Sequence, residues 1–296
     1  MLTNKSDLIK DLATAVNEKK GFALGKIGFA EQHLLGYLAI IKSNPTSARL
    51  HAYEILLRYH CERQFGIFPV ERSFLIDFAE KFSNYLLQLD YLGLFGAAQE
   101  VKLINDLGIG AKLLNYQDTE PDRSIPANPE LCYLHLFKNK RVLLVAPFAA
   151  LLKERANQDV FENVWRKIEK KWFFPESISA IEFPYSYVTE VKTHQEFGTS
   201  LNLYAHICEQ IKNESFDIAL IAAGGLAIPL AAFVKSIGRV GLSLGGHLQV
   251  IFGVAGQRWK NDQFYTENYF NEFWIDMPDS YHPQNKESLT DSGAYW

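Results

Sequence analysis

The chain has few cysteines, and it lacks the spacing that most cysteine chemistry needs. Its three cysteines, Cys61, Cys132 and Cys208, form no CxxC pair among the 296 residues. An odd and scattered set fits neither a disulfide framework nor a zinc site. We therefore expect three small buried hydrophobic side chains and a reducing, cytoplasmic compartment.

The sequence also lacks an excess of positive charge. Its net charge is -4, with 30 Lys and Arg against 34 Asp and Glu. Wholesale binding of nucleic acid through the phosphates needs a basic surface, so nucleic acid is not expected as a partner.

Neither the first 20 residues nor the stretch 218–234 contains an apolar segment of the kind needed for a signal peptide or a membrane-spanning helix. The first 20 residues are polar and contain no apolar core of a signal peptide. The uncharged stretch 218–234 is shorter than the roughly 20 residues that span a bilayer, and it contains two glycines and a proline. It predicts a buried strand followed by a buried helix, so we expect no transmembrane segment; peripheral association with a membrane stays open.

Several catalytic motifs are missing as well. The chain contains no Gx4GK[ST], HExxH or GxSxG motif and no Cys–His signature. Their absence counts against P-loop kinases, zincins and α/β-hydrolases. The chain also lacks GxGxxG, which counts against a Rossmann-type oxidoreductase or methyltransferase.

What the sequence does have is a regular alternation of short apolar runs and helical segments, which is typical of an α/β fold with a mostly parallel sheet. Strands are predicted at residues 22–27, 89–95, 141–147, 178–184, 217–222 and 239–244. Helices are predicted at residues 6–20, with Ser6 as N-cap and Gly21 as stop, and at 30–42, 47–63 and 226–236.

A polar run rich in proline and acid, residues 116–129, predicts a linker or mobile loop. It separates a helix-rich half, residues 1–128, from a half with the βαβ rhythm, residues 129–296. We expect one domain over residues 1–296, with the aromatic-rich tail 274–296 docked on it.

Ligands of open α/β sheets bind at the carboxyl ends of the strands. Four predicted strands end in small or turn-forming residues, which places the candidate site at Pro147, Phe148, Pro184, Tyr185, Gly224, Gly225, Gly245 and Gly246. Glycines at a strand-to-helix turn let backbone N–H groups approach an anion, or they simply allow tight packing. The repetition of a glycine pair on the next strand favours a phosphate-bearing ligand.

Four polar residues near these turns each allow two interpretations. His247 is a packed or capping histidine, or else it contacts a diphosphate or transfers a proton. Gln249 faces a ligand or solvent. Arg258 pairs with phosphate, or it stacks on the neighbouring Trp259. Glu31 is an acid in the first turn of a helix, or it is a carboxylate for a metal or a sugar hydroxyl.

Four segments of the chain resemble a known family. Residues 23–35 (ALGKIGFAEQHLL), 136–152, 216–259 and 271–296 are similar to bacterial proteins of surface-polysaccharide gene clusters, which are related to the glycosyltransferases of the GT-D fold. The resemblance covers nearly the whole chain and is most specific in residues 216–259. It implies a Rossmann-like domain of GT-D type with helices on both faces of the sheet.

The resemblance also implies a function. It implies transfer of a sugar from a nucleoside diphosphate to a glycan or lipid-linked glycan. In that family the first strand ends in a DxE motif that serves donor and metal. Here the segment reads Gly28-Phe29-Ala30-Glu31, so Glu31 matches, Phe29 stands in place of the Asp, and Lys26 stands in place of an Arg.

These residues define the expected site of a glycosyltransferase. Glu31 and His247 are the predicted catalytic residues, and Glu31 is the predicted ligand of Mn²⁺ or Mg²⁺, a metal that the loss of the Asp puts in question. The nucleotide sugar is expected to bind at Lys26, Gly28, Pro147, Phe148, Gly224, Gly225, Gly245, Gly246, Gln249 and Arg258. The alternatives are a nucleotide-sugar-binding or assembly subunit without catalysis, and a Rossmann-type methyltransferase or oxidoreductase.

Overall fold

The computed structural model describes residues 2–43, 46–121, 132–289 and 293–296. A parallel sheet of seven strands runs through the described residues, in the order β3-β2-β1-β7-β6-β4-β5. Its strands are β1 (Phe22–Lys26), β2 (Tyr91–Leu94), β3 (Lys112–Asn115), β4 (Arg141–Val145), β5 (Ser177–Ile181), β6 (Ile218–Ile221) and β7 (Val240–Ser243). A second, two-stranded parallel sheet pairs β8 (Val254–Ala255) with β9 (Ile275–Asp276).

The helices that connect these strands range from four to fifteen residues. They are α1 (Lys5–Glu18), α2 (Phe29–Lys42), α3 (Ser47–His60), α4 (Arg72–Leu86), α5 (Ala98–Asp106), α6 (Ala149–Arg155), α7 (Gln158–Val164), α8 (Val191–Phe197), α9 (Ser200–Asn213), α10 (Ala227–Ser236), α11 (His247–Ile251), α12 (Gln257–Lys260) and α13 (Gln263–Asn268). The α/β, Rossmann-like prediction with a parallel central sheet is therefore confirmed.

Each of the six predicted strands corresponds to an observed one. The short strands β8 and β9 were not predicted, and in the large sheet neither was β3. Its four residues, KLLN, are exposed at both ends and buried only in the middle, at the edge of the sheet. A run of this length is too short to show the alternation of apolar and polar residues that indicates a strand. The stretch 218–234 does form a buried strand and a buried helix, β6 and α10.

The predicted cap of the first helix was wrong. Asn4, not Ser6, is the N-cap of α1, because its side-chain oxygen accepts a hydrogen bond from the Asp7 N–H at 2.9 Å. The helix ends at Glu18, and its C-cap Lys19 adopts the left-handed conformation (φ 52°) that Gly21 was expected to provide. In α3 the predicted helix continues to Arg63 only as a π-helical turn, Cys61–Phe65.

Helices cover both faces of the sheet and divide the core in two. Side chains of α2, α4 and α10, among them Leu34 and Phe78, form one hydrophobic layer. Side chains of α1, α6 and α11, among them Leu12 and Leu248, form the other. Of the three cysteines, Cys61 and Cys208 are buried as expected, whereas Cys132 is half-buried.

Both halves of the sequence contribute to the one large sheet, because β1–β3 come from the first half and β4–β7 from the second. The polar run 116–129, which separates them, begins as a 3₁₀ helix, Tyr116–Thr119. Thr119 and Glu120 are buried, so this part is packed and is not a linker. The rest of the run, and the boundary at 128–129, lie outside the described residues.

The direction of the connections changes in the middle of the sheet. After β1 the chain enters α2 on one face, whereas after the neighbouring β7 it enters α11 on the other. The neighbours β6 and β4 diverge in the same way, into α10 and α6. Such divergence opens a crevice at the carboxyl ends of the strands. No helix of the described residues is both long and apolar enough to cross a membrane.

Candidate functional site

A pocket with a volume of about 270 Å³ lies in this crevice, at the carboxyl ends of β1, β4, β6 and β7. Ten of the twelve predicted site residues line it: Lys26, Gly28, Glu31, Pro147, Phe148, Gly224, Gly245, Gly246, Gln249 and Arg258. Gly225 and His247 do not line it. The residues predicted at the strand ends thus lie together in one pocket, although their roles in binding and catalysis stay predictions.

Lys26 is the last residue of β1 and is almost fully buried. Its ammonium lies 3.5 Å from a carboxylate oxygen of Glu120 and 4.5 Å from the centre of the Tyr116 ring. Burial lowers the pKa of Lys26 below its ordinary value, and the negative charge of Glu120 opposes that shift. The amino group of Lys26 therefore forms part of the pocket wall and is paired there with Glu120.

Glu31 lies in the first turn of α2 and faces the same pocket. Its Oε2 accepts a hydrogen bond from the Gly28 N–H at 3.0 Å, which closes a capping box. The residue as a whole is only half-buried, but the packing around its carboxyl group raises the pKa of Glu31 to about 7. Hydrogen bonds from backbone N–H groups and the charge of Lys26 limit the rise.

His247 begins α11 and is buried behind the pocket wall. Its Nδ1 lies 3.4 Å from Oε2 of Glu120, so this carboxylate stands between His247 and Lys26. Of the two interpretations that the sequence allowed, the structure places His247 in a packed environment. A direct contact of this side chain with a diphosphate has no support in the pocket lining.

The two glycine pairs differ in what they do. Gly224 has a φ of 49°, and a Cβ there would lie 2.7 Å from the carbonyl oxygen of Phe65. A Cβ on Gly225 would lie 2.8 Å from the Ile67 side chain. Both glycines of the first pair are therefore tightly packed, and Gly224 also lines the pocket. In the second pair, Gly245 has a φ of 55°, and its missing side chain leaves room beside Lys26. A Cβ on Gly246 would instead collide with the Tyr295 ring, so the difference between the pairs is confined to Gly245.

Gln249 and Arg258 both hold the end of the chain. The amide of Gln249 donates to the carbonyl oxygen of Tyr295 at 3.0 Å. The Arg258 guanidinium donates to the Tyr295 hydroxyl at 2.6 Å and lies 4.5 Å from the centre of its ring. The sequence left open whether Arg258 pairs with phosphate or stacks on Trp259, and the structure shows its guanidinium over the ring of Tyr295. Tyr295 and Trp296 both line the pocket, so the tail is docked as predicted in its described part.

Most of the aromatic lining of the pocket was not predicted. Besides Phe148, nine aromatic residues line the pocket, and of these only Tyr185 was named as a candidate from a strand end: Phe29, Phe65, Phe95, Tyr116, Phe183, Tyr185, Tyr187, Tyr295 and Trp296. Phe95 and Tyr116 stack almost parallel, with ring centres 4.5 Å apart and an angle of 9°. Phe95 is 58% exposed, so this stack presents a flat apolar surface at the mouth. Tyr185 lines the pocket as its predicted strand end suggested, whereas Pro184 does not, and the end of the predicted strand 89–95 was the available signal for Phe95.

The donor set around Glu31 does not fit a divalent cation. Such ions prefer several free oxygen ligands, and the neighbouring carboxylate, Glu120, is already engaged by Lys26 and His247. One oxygen of Glu31 caps Gly28, and the nearest charge is an ammonium. Among the described residues no group of three His, Cys, Asp or Glu side chains is arranged to hold a metal ion.

Comparison of the chain with models of known protein families, with curated proteins and with solved structures finds no match. The interpretation of the pocket therefore depends on its own geometry and chemistry.

Proposed function

We propose that the pocket binds a nucleoside-diphosphate sugar and that the protein transfers the sugar to a hydroxyl group of a glycan acceptor. The observation that carries this proposal is the pairing of a buried lysine and a carboxyl group with a pKa of about 7 at one strand end, in a pocket lined by aromatic rings. Each of these features matches one part of such a substrate.

The diphosphate would bind to the positive charges. Lys26 and Arg258 both line the pocket, and both act on the pKa of the same side chain, Tyr295. Their charges therefore converge on one region. A leaving diphosphate gains negative charge as its bond to the sugar breaks, and fixed positive charge in a partly desolvated site stabilises it.

The flat parts of the ligand would bind to the aromatic rings. The stacked pair of Phe95 and Tyr116 offers a surface for a nucleobase or a sugar ring. Oε1 of Gln249 is buried in the pocket wall and has no hydrogen-bond partner among the described residues. It is placed to accept a hydrogen bond from a ribose or sugar hydroxyl.

Glu31 is proposed as the general base. With a pKa of about 7 it is partly ionised at neutral pH, which is the range in which a base is effective. In the step we propose, Glu31 takes the proton of the acceptor hydroxyl and the acceptor oxygen forms its bond to the anomeric carbon. The bond from that carbon to the diphosphate oxygen breaks, and the electron pair stays on the diphosphate beside Lys26.

A second candidate is binding of the nucleotide sugar without catalysis. The observation that favours it is the cap at the start of α2, because Oε2 of Glu31 is already bonded to the Gly28 N–H. In that case Glu31 serves the helix, and the remaining pocket residues bind the ligand alone.

A thermal-shift panel of UDP, GDP, CMP and dTDP sugars, with and without Mn²⁺, tests the proposal. We expect one nucleotide class to raise the melting temperature of the wild-type protein, to the same extent without the metal. Absence of any shift would remove both candidates. Sugar transfer that is lost in Glu31→Gln while the shift is kept supports the enzyme, and a shift without turnover supports the binding protein.

A further inference from the structure

Helix α3 carries a stripe of exposed apolar side chains that no other described element covers. Ala48, Ala52, Ile55, Leu56 and Tyr59 are all exposed and recur at intervals of three or four residues. Ile55 is 59% exposed, Leu56 43% and Tyr59 46%. This spacing places them along one side of a helix, which we call the α3 stripe.

Positive charge flanks the α3 stripe, and exposed negative charge is missing from the helix. Arg49 and Arg58 are exposed, and neither forms an ion pair with another described residue. The one carboxylate of α3, Glu54, is buried and bonded to Arg72 and to the Tyr37 hydroxyl. An apolar side with a basic border is the pattern of a helix that lies in the interface of an anionic membrane.

The α3 stripe continues to the mouth of the pocket. The ring of His60 lies 5.7 Å from that of Tyr59 and 5.2 Å from that of Phe29. Phe29 is 57% exposed and lines the pocket. Arg63, which also lines the pocket, lies over the Tyr59 ring at 5.5 Å. A surface bound to the α3 stripe would therefore stand next to the pocket entrance.

We propose that the α3 stripe docks the protein on an anionic phospholipid surface. Ile55, Leu56 and Tyr59 enter the boundary between headgroups and acyl chains, and Arg49 and Arg58 bind the lipid phosphates. A second copy of the chain fits this surface less well, because a symmetric contact would bring like charges together without an exposed carboxylate on the helix. Given the proposed function, on which this last step rests, the acceptor is a glycan anchored to a lipid.

Vesicle co-sedimentation with the full chain tests the proposal. We expect binding to vesicles of phosphatidylcholine mixed with phosphatidylglycerol, no binding to phosphatidylcholine alone, and weaker binding as salt rises. Arg49→Gln and Arg58→Gln should each weaken the partition coefficient about fivefold. Ile55→Ser and Leu56→Ser should each weaken it about tenfold. Leu87→Ser is the matched control, because Leu87 is 51% exposed but lies at the end of α4 and not on α3.

Three outcomes would overturn the proposal. They are absence of binding to the anionic vesicles, unchanged binding by the Ile55→Ser and Leu56→Ser variants, and a concentration-dependent dimer of the wild-type chain that Leu56→Ser abolishes. The melting temperature of each variant shows that it is folded. Its nucleotide-induced shift is measured separately, so that failure of vesicle binding and failure of nucleotide binding are distinguished.

Discussion

The ammonium of Lys26 lies 3.5 Å from the carboxylate of Glu120, and both side chains are more than 90% buried. The two residues are 94 positions apart, and they join the end of β1 to a segment that looks like a polar linker in the sequence. A buried pair of this kind contributes little net stability, but removal of one partner leaves the other charge in a site with little water.

This pair gives the first prediction. Lys26→Met should destabilise the protein by about 3 kcal/mol, because Glu120 then loses its buried lysine partner. The double variant Lys26→Met/Glu120→Gln should recover at least half of that loss. Urea unfolding of the wild type, both single variants and the double variant measures the coupling. Additive losses in this cycle would show that the two side chains are not coupled.

The pair also shows what the sequence could and could not predict. Lys26 was identified from the resemblance of residues 23–35 to the start of the GT-D fold, and the strand that carries it is readable as a largely apolar stretch. Glu120 and Tyr116 were missed because they lie in a run rich in proline and acid, whose local pattern predicts a loop. Their burial depends on contacts with residues far away in the chain, and the hydrophobic pattern of the neighbouring residues gives no information on such contacts.

The same limit applies to His247 and to the first glycine pair. Sequence position correctly placed both beside the strand ends. Whether a side chain faces the pocket or the core depends on the angle at which the following helix leaves the sheet. That angle places His247 against Glu120 and Gly225 against Ile67. Strand ends were thus predictable, whereas the direction of each side chain was not.

The raised pKa of Glu31 gives a prediction for stability against pH. Its folded pKa is about 7 and its ordinary value is 4.5, so the folded state binds this proton more tightly than the unfolded state does. Glu31 therefore costs stability as the pH rises from 4.5 through 7, in total ~3 kcal/mol. Glu31→Gln keeps a side-chain oxygen for the Gly28 cap and removes the charge.

We therefore expect Glu31→Gln to be more stable than the wild type at pH 8 and equal to it near pH 4. The measurement is the free energy of unfolding in urea at several values of pH. Glu71→Gln is the control, because Glu71 is also an acid at the start of a helix, α4, but its side chain is exposed. If the unfolding free energies of wild type and Glu31→Gln differed by the same amount at every pH between 4 and 8, the raised pKa of Glu31 would be contradicted.

Gly224 gives a prediction about tight packing. Gly224→Ala places a Cβ 2.7 Å from the Phe65 carbonyl oxygen, in addition to the cost of a positive φ. Gly238 has a φ of 76° but no atom within 4 Å of the corresponding position. Gly238→Ala should therefore cost about 1 kcal/mol from the backbone alone, and Gly224→Ala about 3 kcal/mol. Equal losses of unfolding free energy in the two variants would show that Phe65 moves aside without cost.

Arg258 gives the last prediction, which concerns ligand affinity. Its guanidinium lies over Tyr295 in the pocket, whereas Arg239 lies over the Phe216 ring at 4.4 Å, at the amino end of β7. Both arginines thus lie over an aromatic ring, Arg258 at the carboxyl ends of the strands and Arg239 at the amino ends. If Arg258 binds the diphosphate, Arg258→Met should weaken the binding of the nucleotide at least about tenfold, since a charge-assisted hydrogen bond is lost.

Arg239→Met should leave that affinity unchanged, and calorimetric titration with the nucleotide found in the thermal-shift panel measures both. Tyr295→Phe separates the two roles of Arg258, because it removes the hydroxyl that Arg258 bonds and keeps the ring beneath it. If Tyr295→Phe loses little nucleotide affinity and Arg258→Met loses much, the positive charge of Arg258 is what binds the nucleotide. A loss of the same size in both variants would instead mean that Arg258 acts by holding the tail in place.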